Sequence, residues 1–143
     1  GMGVNINNPL QNVVLSYDAS GYAGVRFWAQ GAGTQTVRFS VVTADTAEAA
    51  LGGTCVPRVV AGNMVGCNDH WGVPVTIGAG WQMYELRWKA GSSTAGFAQE
   101  GWGVSAGFSP ARVIGFQWQV SGGSPATPAA LDMWVDDLQF LPP

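Results

Sequence analysis

The chain has 143 residues, 47% hydrophobic and only 10% charged, with a formal net charge of −3. Such a balance excludes a disordered chain, and the length suits one domain, since domains cluster near ~100–150 residues. Five Arg and one Lys form no cluster for phosphate neutralisation, so nucleic acid is excluded as a partner, and no apolar run approaches a membrane span.

The elements are predicted from apolar residues that alternate with period two. Residues 3–7 alternate and form a short first strand. In residues 24–30, Val25, Phe27 and Ala29 share one face and leave Arg26 and Trp28 on the other. Val37, Phe39 and Val41 then oppose Arg38, Ser40 and Val42. The only helical turn expected is at residues 46–51. Residues 81–88 set Met83, Glu85 and Arg87 against Gln82, Tyr84, Leu86 and Trp88. Residues 113–120 set Ile114, Phe116, Trp118 and Val120 against Gly115, Gln117 and Gln119, and residues 131–141 are similarly strand-like. Turn clusters fall at 31–34, 91–93 and 121–128. Several strands without a long helix read as an all-β, two-sheet antiparallel β-sandwich, a single domain over residues 1–143.

Chemistry is tested by inventory. Cys55 and Cys67 lie in one Gly-rich stretch, and His70 is the only histidine, too few ligands for a four-ligand zinc site. A Cys55–Cys67 disulfide is the preferred reading, against two buried free thiols; it would add about 3 kcal/mol or less and imply an oxidising compartment. A glycosidase needs two carboxyl groups facing each other across a bond. Asp136 and Asp137 are adjacent in a strand and point to opposite faces, and the other acids are scattered. No nucleophile elbow, zinc helix, phosphate loop or EF-hand loop occurs, so catalysis is not expected. One aspartate of the doublet must face inward or toward a sheet edge. Either Ca²⁺ satisfies it, with main-chain carbonyls from the start of the chain, or it accepts backbone N–H bonds without a metal.

Seven Trp on so uncharged a chain need an account. Trp28, Trp81, Trp88, Trp118 and Trp134 lie within strand patterns, where core packing is the expected role. Trp71 and Trp102 lie in Gly-flanked loops, as stacking surfaces for sugar rings or as lids folded back on the sandwich. Flat rings stack on the C–H faces of pyranoses while amide and guanidinium groups bond the hydroxyls. Arg26, Arg38, Gln117 and Gln119 are expected to offer those groups from one sheet face, with Trp28 beside Arg26. His70 next to Asp69 is expected to be a structural pair.

The opening Tyr17-Asp18-Ala19-Ser20-Gly21-Tyr22-Ala23-Gly24-Val25-Arg26-Phe27-Trp28-Ala29 resembles that of bacterial carbohydrate-binding jelly rolls appended to plant-wall hydrolases. Gly52-Gly53-Thr54-Cys55, Cys67-Asn68-Asp69-His70-Trp71-Gly72, the strand at 81–84, Gln99-Glu100-Gly101-Trp102-Gly103 and Trp134-Val135-Asp136-Asp137-Leu138 follow in the family's order. The chain is similar to galactose-binding-like sandwiches, including β-glucan binders of the family 11 type. The resemblance implies a secreted, monomeric, non-catalytic module. It would bind β-linked cell-wall glucans on a concave sheet face and be covalently linked to a catalytic module. It also implies a structural Ca²⁺ at Asp136 or Asp137, and it matches Gln117 and Gln119 to the polar face of the penultimate strand. The family commonly has Phe where Trp71 stands and more strand sequence ahead of Gly1, so part of the first strand is expected to be missing. The alternatives are a sandwich docking on a neighbouring domain through Trp71 and Trp102, and a small glycosidase.

Overall fold

The structure is a computed structural model that describes residues 1–10, 13–88, 96–120, 122 and 129–143. Among these residues nine strands form: β1 (Met2–Asn5), β2 (Gly24–Gly31), β3 (Gln35–Thr43), β4 (Arg58–Val60), β5 (Asn63–Val65), β6 (Trp71–Ile77), β7 (Gln82–Arg87), β8 (Val113–Gln119) and β9 (Met133–Leu141). A four-stranded sheet runs β1-β8-β3-β6 and a three-stranded sheet runs β7-β2-β9, with β4 and β5 as a separate hairpin. All ladders are antiparallel. The expected two-sheet sandwich is therefore present, and the expected helical turn shrinks to one 3₁₀ turn at Ala49–Leu51. The turns expected at 91–93 and, apart from Gly122, at 121–128 lie outside the described residues.

The alternation of β2 and β3 decides what is buried. Val25, Phe27 and Ala29 meet Val37, Phe39 and Val41 between the sheets, joined by Phe116 and Trp118. Phe27 stacks on Phe39 at 5.4 Å and meets the edge of Trp118 at 5.3 Å. Offset and edge-to-face ring pairs of this kind stabilise by about 0.5–1.5 kcal/mol each beyond their buried area.

The expected parity of the 113–120 strand fails at one position. Ile114 does not join Phe116 and Trp118; it packs with Val42, Ala44 and Ala47 in a second cluster on the far side of the sheet. The cause is a bulge: Val42 pairs with Gly115 but Thr43 with Val113, so Ile114 is an extra residue. Gly115 is needed beside it, because a Cβ there would lie 2.2 Å from the Val4 carbonyl oxygen of β1.

Strand β6 escapes the alternation rule because Gly72 and Pro74 interrupt it. Gly72 donates its N–H to Ala98 on the side away from β3, so two residues on the missing N–H of Pro74 faces that same open edge. Proline costs no ladder bond there. The hairpin β4–β5 was likewise not anticipated. It is closed at its base by the Cys55–Cys67 disulfide, with Cα atoms 5.9 Å apart.

Candidate functional site

The residues expected on one polar sheet face divide between two. Strands β2 and β3 are consecutive in sequence but belong to different sheets. Arg26 and Trp28 therefore face solvent from the three-stranded sheet, and Arg38, Gln117 and Gln119 from the four-stranded one. Alternation along a strand tells which residues share its face, not which sheet the strand joins.

On the four-stranded sheet, Ser40 pairs with both Gln117 and Gly72, and Arg38 with both Gln119 and Pro74. Open hollows lie along this face. One is lined by Gly1, Met2, Gly3, Gln117 and Gln119, and another by Thr36, Val37, Arg38, Pro74 and Glu100. Gln117 is half-buried and Gln119 exposed.

Arg38 is less available than expected. Its guanidinium donates to the carbonyls of Ala98 and, at 3.3 Å, His70, and its Nε lies 3.8 Å from Glu100. It fastens the segment around residues 98–106 to the sheet edge. Glu100 in turn accepts the indole N–H of Trp102 at 3.0 Å, which fixes Trp102 at the margin of the face while leaving it 55% exposed.

Asp69 builds the loop that carries Trp102. Its buried carboxylate accepts the backbone N–H groups of Glu100 at 2.9 Å, Gly101 at 2.7 Å and Gly103 at 3.1 Å. Gln99 adds bonds to the carbonyls of Asp69 and Val104 and accepts the N–H of Ala106. His70, also buried, turns away to bond Thr46 through Nδ1 at 2.8 Å. Burial pushes its pKa down to about 4 against the opposing pull of the Asp69 charge, which keeps the ring neutral. Trp71 packs edge-on to Phe108 at 5.7 Å at the border of the core, with its indole N–H buried and unpartnered among the described residues.

The tryptophans in strands divide. Trp88 and Trp118 are core, as expected. Trp28, Trp81 and Trp134 are 40%, 47% and 51% exposed, which corrects their expected core packing. All three belong to the solvent side of the three-stranded sheet, and the signal was present in the sequence. Each has the strand parity of a charged residue: Trp28 with Arg26, Trp81 with Glu85, and Trp134 with Asp136.

Of the two placements expected for the Asp136–Asp137 doublet, inward or toward a sheet edge, the inward one is not taken: both residues are exposed, on the edge strand β9. Two steps on β2, from Arg26 to Trp28, match three on β9, from Gln139 to Asp136, so the doublet forms a bulge on an edge strand. Asp137 takes a left-handed φ of 50°, and its N–H bonds the Asp136 carboxylate at 2.8 Å. A gap lined by Met2, Gly3, Val4 and residues 135–138 separates the doublet from the start of the chain. Among the described residues no three His, Cys, Asp or Glu side chains converge. These side chains alone thus fall short of the roughly 6–8 oxygens that Ca²⁺ takes.

No helix among the described residues is long and apolar enough to cross a membrane. Comparison with family profiles, curated proteins and solved structures finds no significant match for this chain.

Proposed function

We propose that the chain is a secreted, non-catalytic carbohydrate-binding module for β-linked plant cell-wall glucans, acting as a monomer and holding a tethered glycoside hydrolase near its substrate. The observation that carries this reading is the solvent face of the four-stranded sheet. There, the neutral amides of Gln117 and Gln119 line an open hollow on the β1 side, while Trp102, which the Asp69-centred loop holds in place, stands exposed at the β6 edge. An uncharged ligand gains nothing from charge, and this face offers hydrogen bonds and one fixed ring instead. Linking the module to an enzyme turns the second binding event into an intramolecular one. The disulfide supports an oxidising compartment.

Affinity electrophoresis in gels containing hydroxyethylcellulose, xyloglucan, mixed-linkage glucan or xylan tests it. Retardation by a glucan supports the reading, and free migration through all four overturns the Gln117–Gln119 face as a glucan site. Calcium at the Asp136–Asp137 bulge is part of the same proposal, with main-chain carbonyls completing its coordination. A Tm lowered by EDTA and restored by Ca²⁺ supports the ion, and a Tm unmoved by EDTA refutes it.

The second reading, docking on a neighbouring domain, is favoured by the hairpin β4–β5. It presents Val59 and Met64 to solvent, with Val56 just ahead of β4, each more than 60% exposed. Self-association of the isolated chain, without retardation by any glucan, would support it.

A further inference from the structure

The solvent side of the three-stranded sheet forms a surface that the groove on the opposite sheet does not use. Its rows follow from the strand register. Trp134 pairs with Gln30 on one side of β2, and on the other side Trp81 immediately precedes β7, next to the Gln82 that pairs with Ala29. In the next row, Trp28 sits between Asp136 and Met83. Strands lie ~4.8 Å apart, so Trp134 on β9 and Trp81 at the start of β7 stand on opposite sides of β2, and Trp28 is set off from the Gln30–Trp134 pair by about 7 Å along β2. The indoles thus mark a triangle rather than a line.

We propose that this face is a second glycan-binding surface, specific for the flat side of packed, insoluble β-glucan chains. The inference rests on the reading above for its ligand class and adds a site on the opposite side of the sandwich. A lone chain running along one line would pass over two of the three indoles. A sheet of parallel chains meets all three at once.

Charge and area select the ligand. Below the indoles, Arg26 donates from Nε and Nη2 to Gln139 at 3.2 and 2.8 Å, and Arg87 lies 3.5 Å from Glu85. Among the described residues the face carries both signs, Arg87 beside Glu85 and Arg26, held by a neutral amide, on the same side as Asp136, which suits a neutral polymer rather than a strongly charged partner. The apolar triangle covers three strands by one two-residue repeat, a few hundred Å² at most by the strand spacings. A specific protein interface buries about 800 Å² per partner. The patch is too small for a stable dimer, but it suffices for rings that stack one by one.

The test uses the intact chain with two probes, depletion by microcrystalline cellulose and retardation by soluble hydroxyethylcellulose. The expected result is that Trp28→Ala/Trp134→Ala lowers affinity for the insoluble probe roughly tenfold, as loss of two ring contacts predicts. Its soluble-probe retardation and Tm should stay unchanged, and Trp81→Ala should act in the same direction. Unchanged depletion by the variants overturns the second surface and leaves the groove reading standing. Depletion that needs the tryptophans, with no soluble glucan retarding the chain, supports the second surface and sinks the groove. A dimer that the double variant dissociates, with depletion unaffected, overturns the proposal in favour of an interface between copies.

Discussion

Single buried polar residues set the conditions under which this sandwich holds together. His70 has its pKa pushed down to about 4 by burial, below the ordinary value of 6.5. Above pH 6.5 neither state carries the proton; below it the unfolded chain binds a proton that the folded chain refuses. Stability therefore falls as the pH drops from about 6.5 to about 4, by roughly 3 kcal/mol in total. A Tm series across that window should show the loss, and a flat Tm would contradict the account of His70. Arg38 is predicted to act through the fold. Arg38→Ala removes its bonds to Ala98 and His70 and should lower Tm. Any weakening of glucan binding should follow from the freed Trp102 loop. An unchanged Tm would instead return Arg38 to the ligand.

Elements owe their placement to details that alternation does not record. The hairpin β4–β5 turns through Ala61 and Gly62, both with positive φ, 49° and 82°. A left-handed alanine costs about 1–2 kcal/mol, and Asn is tolerated there, so Ala61→Asn is expected to raise Tm in a thermal melt. Reduction of Cys55–Cys67 should lower it by an amount consistent with about 3 kcal/mol or less. The main strands and their buried faces were legible because Val25, Phe27, Val37 and Phe39 alternate without interruption. Ile114 was misplaced because one bulge residue reverses parity without leaving a mark in composition. The bulge at the Asp136–Asp137 doublet left no mark in composition either, so that the inward placement could not be set aside from sequence. Strand β6 was overlooked because Pro74 is tolerated only on an open edge, which is a property of the assembled sheet.

At the scale of the whole molecule, two solvent faces point in opposite directions. One offers amides with a fixed indole at its edge, and the other a group of exposed indoles. The candidate site was only partly legible. Arg38, Gln117 and Gln119 fell on a common sheet, but Arg26 and Trp28 crossed to the other because sheet membership depends on long-range pairing. Trp81 and Trp134 were assigned to the core because aromatic residues in strands are usually buried, although their parity placed them with charged residues. Low surface charge fits both faces, since neither needs an ionic ligand. The central claim is that the Gln117–Gln119 face holds a single β-glucan chain. It is tested most directly by titration calorimetry with a soluble β-1,4-linked glucan oligosaccharide, on the parent and on Gln117→Ala/Gln119→Ala. Saturable binding that the double variant loses at unchanged Tm is the predicted result. Binding that survives the double substitution, or no binding heat from the parent, would contradict it.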